Sequence, residues 1–179
     1  MDKIAIIGGS YNPPHVAHVL AANYTALTSD FDQVRIIPTY VHSSKTNLID
    51  FNHRLKMCEL AFGYIPNLII NPIERYLPTP SLTINTLKAL HDQQKADYRF
   101  VIGSDILFNL NLWEDIETVF KLAPPFILGR IGYESPEIKS DISLPNISST
   151  HIRELLKSSK YNEELTKVVP NSVLKYKRK

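Results

Sequence analysis

Short apolar segments alternate with longer amphipathic ones along this chain, and this alternation restricts its fold more than any other feature. Five segments rich in Ile, Val, Leu and Phe, and bounded by Gly, Pro or Asn, have the composition of β-strands. They are Lys3–Ile7, Gln33–Pro38, Leu68–Ile73, Arg99–Ile102 and Phe126–Leu128. Because these strands are apolar almost throughout, they fit a parallel sheet that is covered on both faces.

The segments between the strands carry apolar residues at helical spacing. They are His15–Leu27, Asn52–Tyr64, Leu82–Gln93 and Trp113–Leu122. Alternating strands and helices imply right-handed crossover connections. We therefore predict an α/β protein with an open, mainly parallel, Rossmann-like sheet and helices on both faces. In such sheets, ligands bind outside the carboxyl ends of the strands, at the point where strand order reverses.

The length of 179 residues is that of one domain, which we expect to span residues 1–179 with a basic tail at 175–179. The tail carries four of the 20 basic residues, so the body has fewer basic residues than the 18 acidic ones. We therefore expect no nucleic-acid partner. The segment Tyr133–Pro145, with two prolines and mixed charge, is predicted to be a surface loop within the domain.

A single cysteine, Cys58, excludes an internal disulfide and a four-cysteine zinc site. It lies in the apolar segment Leu55–Phe62, which favours a buried structural thiol. No segment approaches the roughly 18 uninterrupted apolar residues needed to span a bilayer. The apolar segment Ile4–Ile7 is too short for the core of a signal peptide. We expect a soluble, cytoplasmic protein without a membrane partner.

A candidate phosphate site follows the first strand. Gly8, Gly9 and Ser10 come directly after it, and a helix begins near His15 and His18. Paired glycines let a ligand approach the main chain, and a helix N-terminus favours phosphate. The two histidines lie on one side of the first turn, where they can donate hydrogen bonds to phosphate oxygens. The alternatives are a turn without function and a zinc site, but no third ligand stands at metal spacing nearby.

A second candidate phosphate site lies far downstream. Ser148, Ser149 and Thr150 precede an apolar periodic segment, and Arg153 follows one turn later. Capping of a helix would explain one of these hydroxyls. Together, the hydroxyls and the arginine would also hold phosphate. Two phosphate sites in one α/β domain indicate a nucleoside triphosphate that extends between them.

Both segments resemble the HxGH nucleotidylyltransferase superfamily, and the chain is more narrowly similar to bacterial-type nicotinate mononucleotide adenylyltransferases. Further segments carry this similarity in the family's order: Arg54–Met57, Pro80–Leu87, Phe100–Asp105 followed by Trp113, and Val169–Val173. The resemblance implies that ATP and nicotinate mononucleotide are the substrates, and that AMP is transferred without a covalent enzyme intermediate. It also implies Mg²⁺ as cofactor, bound through the phosphates of ATP and not by protein ligands.

The resemblance further implies roles for individual residues. The catalytic residues would be His15 and His18, contacting the α- and β-phosphates. The ATP and phosphate site would comprise Gly8, Gly9, Ser10, Gly103, Asp105, Ser148, Ser149 and Arg153. The mononucleotide site would comprise Lys45, Ser81, Thr83, Asn85, Thr86 and Trp113. Alternatively, Trp113 is a core residue, Asp105 a helix cap and Lys45 an ordinary loop residue.

The chain departs from the family pattern at four places. Ala17 replaces the glycine between the histidines, Asn12 and Asn85 replace aspartates, and the loop His42–Lys45 replaces Pro-Pro-His-Lys. We expect the methyl group of Ala17 to weaken or displace ATP, and the loop to be more flexible. The alternatives are an adenylyltransferase for nicotinamide mononucleotide and a catalytically weakened nucleotide-binding sensor. A homo-oligomer is a further possible assembly.

Overall fold

The structure is a computed structural model that describes residues 1–157 and 163–177. Its strands are β1 (Lys3–Gly9), β2 (Gln33–Pro38), β3 (Leu68–Ile70), β4 (Asp97–Gly103), β5 (Pro125–Arg130) and β6 (Ser143–Leu144). They form one sheet in the order β3-β2-β1-β4-β5-β6, and every neighbouring pair is parallel. The predicted open, parallel α/β sheet is therefore confirmed.

Helices lie between the strands and after the last of them. They are α1 (Val16–Thr28), α2 (Phe51–Phe62), α3 (Thr83–Gln93), α4 (Ser104–Leu107), α5 (Ile116–Leu122), α6 (Ser149–Lys157), α7 (Glu163–Val168) and α8 (Asn171–Lys177). Short 3-10 helices occur at Ile73–Tyr76 and Leu110–Leu112. The predicted helix at Trp113–Leu122 begins later than expected, at Ile116. Its start is set by Asp115, whose carboxylate accepts a hydrogen bond from the Thr118 N–H at 3.3 Å.

The core lies on both faces of the sheet, as the apolar strands predict. Ile4 and Ile6 of β1 pack with residues of α3 and α5 on one face. Ala5 and Ile7 pack with residues of α1, α2 and the C-terminal helices on the other. Cys58 is fully buried in this second cluster, and burial raises the pKa of its thiol. The prediction of a buried structural thiol is confirmed.

The prediction of a surface loop over Tyr133–Pro145 is wrong at its end. Ser143–Leu144 form β6, which pairs with the end of β5, and Leu144 is buried. The close approach depends on Gly129, because a Cβ at this position would lie 2.5 Å from the carbonyl oxygen of Ile142. Two residues are too few for an alternating pattern, so the sequence carried no strand signal here.

The order of the strands reverses between β1 and β4. From β1 the chain builds β2 and β3 on one side, and it then crosses to β4 on the other. The loops after β1 and β4 therefore separate and leave a crevice at the carboxyl edge of the sheet. Within residues 1–157 and 163–177, no helix is long and apolar enough to cross a membrane. Residues 178–179 of the predicted basic tail lie outside the described residues.

Candidate active site

A cavity of about 460 Å³ opens at the carboxyl ends of β1, β4 and β5. Its size is in the range of small-molecule sites. Its wall contains these predicted site residues: Gly8, Gly9, Ser10, His15, His18, Lys45, Gly103, Asp105, Trp113, Ser148, Ser149 and Arg153. Residues from both ends of the chain thus meet at one cavity, at the edge where the fold predicts a ligand.

The loop after β1 is held by the ring of Tyr11. This ring is buried, and its hydroxyl donates a hydrogen bond to the carbonyl oxygen of Ile7 at 3.0 Å. The backbone at Tyr11 is left-handed, with a φ of 47°. A Cβ at position 9 would come within 3.1 Å of the same ring, so the glycine at this position permits the packing. The turn that leads to the histidines is therefore firmly held.

The histidine rings stack on each other, with centroids 3.7 Å apart and planes inclined by 26°. The backbone N–H of His15 donates to Nδ1 of His18 at 3.2 Å. A neutral His18 must therefore carry its ring proton on Nε2. His15 is 4% exposed, and its Nδ1 is buried without a hydrogen-bond partner among the described residues. A buried polar atom without a partner is uncommon in folded proteins.

Both imidazoles are held in the uncharged form. Burial, and then the positive charge of Arg130, lowers the pKa of His15 to about 4. Burial, followed by His15, Arg130 and Lys45, lowers the pKa of His18 well below its usual value. Near neutral pH the pair therefore offers neutral N–H donors and not cations.

The pKa of His15 predicts a loss of stability in acid. Its pKa falls from 6.5 to about 4 on folding, so between these values only the unfolded chain binds the proton. The contribution of His15 to the free energy of unfolding should fall by up to about 3 kcal/mol as the pH drops through this window. Urea unfolding at several pH values measures it. The free energy of unfolding should change less steeply with pH in His15→Gln than in the wild type. Equal pH dependence in both proteins would contradict the prediction.

The first turn of α6 contacts the loop after β1 directly. The hydroxyl of Ser149 donates to the carbonyl oxygen of Pro13 at 2.9 Å. Arg153 donates from Nη1 to the carbonyl oxygen of Asn12 at 3.0 Å. The Ser148 hydroxyl accepts from the backbone N–H of His151 at 3.2 Å, as a helix cap does. The capping alternative therefore accounts for Ser148, whereas Ser149 and Arg153 join the two candidate phosphate sites.

The loop that carries Lys45 is organised by His42. Nδ1 of His42 accepts from the backbone N–H groups of Ser44 at 3.1 Å and Lys45 at 3.3 Å. Nζ of Lys45 donates to the hydroxyl of Ser10 at 3.1 Å. The bond from Lys45 to Ser10 ties the loop to the turn after β1. The replacement of Pro-Pro-His-Lys by His42–Lys45 gave no indication of these hydrogen bonds.

Two other departures lie at the same turn. Asn12 is buried, and its Nδ2 donates to the carbonyl oxygen of Asn47 at 3.1 Å. An ionised aspartate would have no donor for this oxygen, so the amide joins the β1 turn to the segment before α2. Ala17 is buried in the cavity wall, on the first turn of α1.

Arg130, the last residue of β5, is a cavity residue that the sequence analysis missed. Its Nη1 donates to Oδ2 of Asp105 at 2.8 Å, and its Nη2 donates to the carbonyl oxygen of Ile147 at 2.9 Å. Asp105 also packs on Gly103, where any side chain would collide with Oδ1 of the carboxylate. A charged residue that ends an apolar strand at the ligand-binding edge was the available signal.

The segment Ser81–Thr86 does not reach the cavity wall. Ser81 accepts from the backbone N–H of Val41 at 3.2 Å, and the buried Thr86 hydroxyl donates to Glu74 at 3.0 Å. These bonds hold together the loops beside the site. Thr83 and Asn85 lie in the first turn of α3, and Leu82, the residue before it, makes no side-chain cap.

Trp113 does line the cavity. It is half-buried, and its ring meets that of Phe100 edge to face, with centroids 5.6 Å apart. The alternative that Trp113 is a core residue accounts for its contact with Phe100. The same ring also borders the cavity.

The cavity wall suits an anion better than a free cation. Among the described residues, no group of three or more His, Cys, Asp or Glu side chains could hold a metal ion. Asp105 is the only carboxylate among the described lining residues, and it is paired with Arg130. Lys45, Arg130 and Arg153 place positive charge around the two histidines. A polyphosphate matches this distribution of donors and charge.

Comparison with known proteins identifies relatives over almost the full length. The cytidylyltransferase-like family model matches residues 6–155. A protein of Anaeromyxobacter sp. (strain K) named "Probable nicotinate-nucleotide adenylyltransferase" is 35% identical over 178 residues, which cover 97% of this chain and 92% of the relative. A protein of the same name from Streptococcus mutans is 35% identical over 181 residues, 97% of this chain and 85% of the relative.

Solved structures share the fold. The nicotinic acid mononucleotide adenylyltransferase of Plasmodium falciparum complexed with NaAD superposes with a TM-score of 0.81 at 18% identity, over 98% of this chain and 94% of that one. The same enzyme complexed with APC gives a TM-score of 0.79 at 17% identity, with the same coverage. From the family match and the full-length relatives, the chain belongs to the cytidylyltransferase-like family and, within it, to the nicotinate-nucleotide adenylyltransferases.

Proposed function

We propose that the protein transfers AMP from ATP to nicotinate mononucleotide, with deamido-NAD and pyrophosphate as products. One observation carries this proposal: the histidine pair and the Ser149–Arg153 turn border one cavity, and hydrogen bonds to Asn12 and Pro13 hold them together. The relatives named as nicotinate-nucleotide adenylyltransferases, and the Plasmodium enzyme complexed with NaAD, support the choice of substrates.

The reaction is a displacement at the α-phosphorus of ATP. A phosphate oxygen of nicotinate mononucleotide forms a bond to this phosphorus. The bond from the α-phosphorus to the oxygen that bridges to the β-phosphorus breaks, and its electron pair leaves with pyrophosphate. Because the acceptor phosphate is already anionic, the protein needs no nucleophile of its own, and its residues align the substrates and stabilise developing charge.

The histidines would act as neutral donors to the α- and β-phosphate oxygens. His18 has its proton on Nε2, because its Nδ1 already accepts from the backbone of His15. The side chain of His15 borders the same cavity as that of His18. Preformed donors of this kind stabilise charge that grows in the transition state.

The remaining cavity residues would divide ATP between two ends. Arg153, Ser148 and Ser149 would hold the outgoing pyrophosphate at the start of α6, with Ser10 and Lys45 nearby. At the nucleoside end, the cavity wall contains Gly8, Gly9, Gly103 and Asp105. Here the Asp105 carboxylate would accept hydrogen bonds from ribose hydroxyls.

The mononucleotide would lie between Lys45 and Trp113. The lysine would pair with its phosphate, and the exposed part of the indole would stack on the pyridine ring. Ser81, Thr83, Asn85 and Thr86 stay predictions for this end. The Thr86 hydroxyl is already engaged by Glu74, so its role would be to hold the neighbouring loop.

Mg²⁺ would accompany ATP and neutralise charge on its phosphates. No residue of the chain is assigned as its ligand, because Asp105 is paired with Arg130 and the other charged lining residues of the described chain are cationic. The expectations of a single domain, of a cytoplasmic location, of no nucleic-acid partner and of a possible homo-oligomer stay predictions.

Pyrophosphate release from ATP with different acceptors tests the proposal. Nicotinate mononucleotide, nicotinamide mononucleotide and phosphopantetheine are compared at equal concentrations in the presence of Mg²⁺. We expect the highest kcat/KM with nicotinate mononucleotide. A preference for nicotinamide mononucleotide would assign the other pyridine acceptor. ATP binding without release from any acceptor would overturn the enzyme assignment in favour of a nucleotide sensor.

Arg153→Ala should weaken ATP more than the mononucleotide. The substitution removes the positive charge at the pyrophosphate end, so we expect KM for ATP to rise about tenfold and KM for nicotinate mononucleotide to stay within about twofold. Lys157→Ala, an exposed residue at the end of the same helix, is the control and should change neither. A larger rise for the mononucleotide would show that the two phosphate ends are interchanged.

A further inference from the structure

Arg130 connects two parts of the cavity that are distant in sequence. Its guanidinium donates to Asp105, which follows β4, and to Ile147, which precedes α6. A further contact of 3.4 Å joins it to the side-chain oxygen of Asn146. The proposed nucleoside end and the proposed pyrophosphate end thus share a single arginine.

The geometry of this contact requires the guanidinium group. Its two terminal nitrogens point to different partners, and a planar fork can hold both at once, whereas a lysine ammonium is a point charge on a flexible chain. Oδ1 of Asp105 occupies the space that a Cβ at position 103 would take, so the glycine at this position leaves room for the carboxylate. Arg130 holds the other carboxylate oxygen, Oδ2, at 2.8 Å.

Arg130 also sets the charge around the histidine pair. Burial is the main cause of the lowered pKa values of His15 and His18, and the charge of Arg130 lowers both further, as Lys45 does for His18. Asp105, the paired carboxylate, offsets part of the arginine charge. The same residue therefore influences both the shape and the electrostatics of the cavity.

We propose that Arg130 is a positioning residue that holds Asp105 and the Asn146–Ile147 segment at a fixed separation, so that the two ends of the ATP site form one rigid unit. This inference rests on the proposed adenylyl transfer, since it assigns Asp105 to the nucleoside. Arg130 acts here through Asp105 and through the start of α6. It is not assigned a contact with the reacting atoms.

Two variants of Arg130 distinguish the effect of its two-partner guanidinium geometry from the effect of its positive charge. Arg130→Lys keeps a cation but loses the two-partner fork, and Arg130→Gln loses both. We expect KM for ATP to rise about tenfold or more in each variant, with KM for nicotinate mononucleotide within about twofold, since charged hydrogen bonds have this magnitude. Arg99→Gln is the matched control: Arg99 also pairs with a nearby aspartate, Asp97, but at the opposite edge of the sheet.

A double-mutant cycle with Asp105→Asn tests whether Arg130 acts through Asp105. If it does, Arg130→Gln should raise KM for ATP by about threefold instead of tenfold in the Asp105→Asn background, because the Asp105 interaction is already lost and only the contacts with Asn146 and Ile147 remain. A tenfold effect in both backgrounds would overturn the proposal, since Arg130 would then act independently of Asp105. An unchanged KM for ATP in Arg130→Gln alone would also overturn it.

The pH profile supplies a readout that a merely structural role would not move. Arg130→Gln removes a cation that disfavours protonation of His15 and His18, so the acid limb of kcat should move to higher pH. Arg130→Lys retains the charge and should leave the limb in place. If the acid limb of the kcat profile does not shift in Arg130→Gln, the inference that the Arg130 charge acts on the histidine pair would be overturned. Because all these measurements are made relative to an active wild-type protein, failure of the proposed reaction itself would be seen first and separately.

Discussion

His18→Ala is expected to lower turnover by about a hundredfold or more, with a much smaller change in the KM values. The reason is that a preformed donor to a transition-state oxygen typically contributes this much. In the structure, the Nε2 proton of His18 is the donor, because Nδ1 is occupied by the backbone N–H of His15. Steady-state release of pyrophosphate measures the effect.

His18→Asn separates this donor from the local structure. An asparagine oxygen can replace Nδ1 as acceptor for the His15 N–H but places no donor where Nε2 lies. Turnover as slow as in His18→Ala is therefore expected. His53→Ala, an exposed residue of α2 outside the cavity wall, is the control and should retain wild-type turnover. Near-normal turnover in His18→Asn would remove the donor from the mechanism.

Arg54→Met is expected to lower the free energy of unfolding by about 3 kcal/mol or more. Arg54 is 1% exposed and donates to main-chain carbonyls of two loops around the site, the one after β1 and the one between β2 and α2. The acceptors are the carbonyl oxygens of Ile49 (3.0 Å), Ser10 (3.0 Å), Thr39 (2.6 Å) and Tyr40 (3.0 Å). Methionine fills much of the volume but leaves these oxygens without donors. Urea denaturation measures the loss.

Two further variants, Arg54→Lys and Arg99→Met, serve as controls for the Arg54→Met prediction. Arg54→Lys can restore up to three of the donors and should recover part of the stability. Arg99→Met removes an arginine that is 38% exposed, and it should change the free energy of unfolding by about 0.5 kcal/mol or less. A loss in Arg54→Met no larger than in Arg99→Met would show that the four carbonyl contacts contribute little to stability.

Several elements of the fold could be predicted because their signals are local. The second strand was predicted at its observed bounds, Gln33–Pro38, because it is apolar and ends at a proline. The start of α1 was predicted within one residue, at His15 instead of Val16. By contrast, β6 is created by pairing with β5, and its two residues have no pattern of their own.

The residues of the candidate site likewise include some that the sequence could identify and some that it could not. His15, His18, Ser149 and Arg153 were recognisable because their residue types and spacing suit phosphate. Arg130 was not identified, because its one sequence signal, a charge at the end of an apolar strand, does not show that it bonds Asp105 and the main-chain oxygen of Ile147.

Residue type and order were sufficient to determine the class of fold, the strand edge at which the cavity opens and the family to which the chain belongs. Apolar periodicity and side-chain chemistry are properties of neighbouring residues, so they can be read along the chain. Only the tertiary structure decided that the start of α6 rests on the carbonyls of Asn12 and Pro13, and that Arg54 and Arg130 hold the surrounding loops. Contacts between main-chain groups far apart in sequence depend on how the sheet brings the loops together, and no local pattern encodes them.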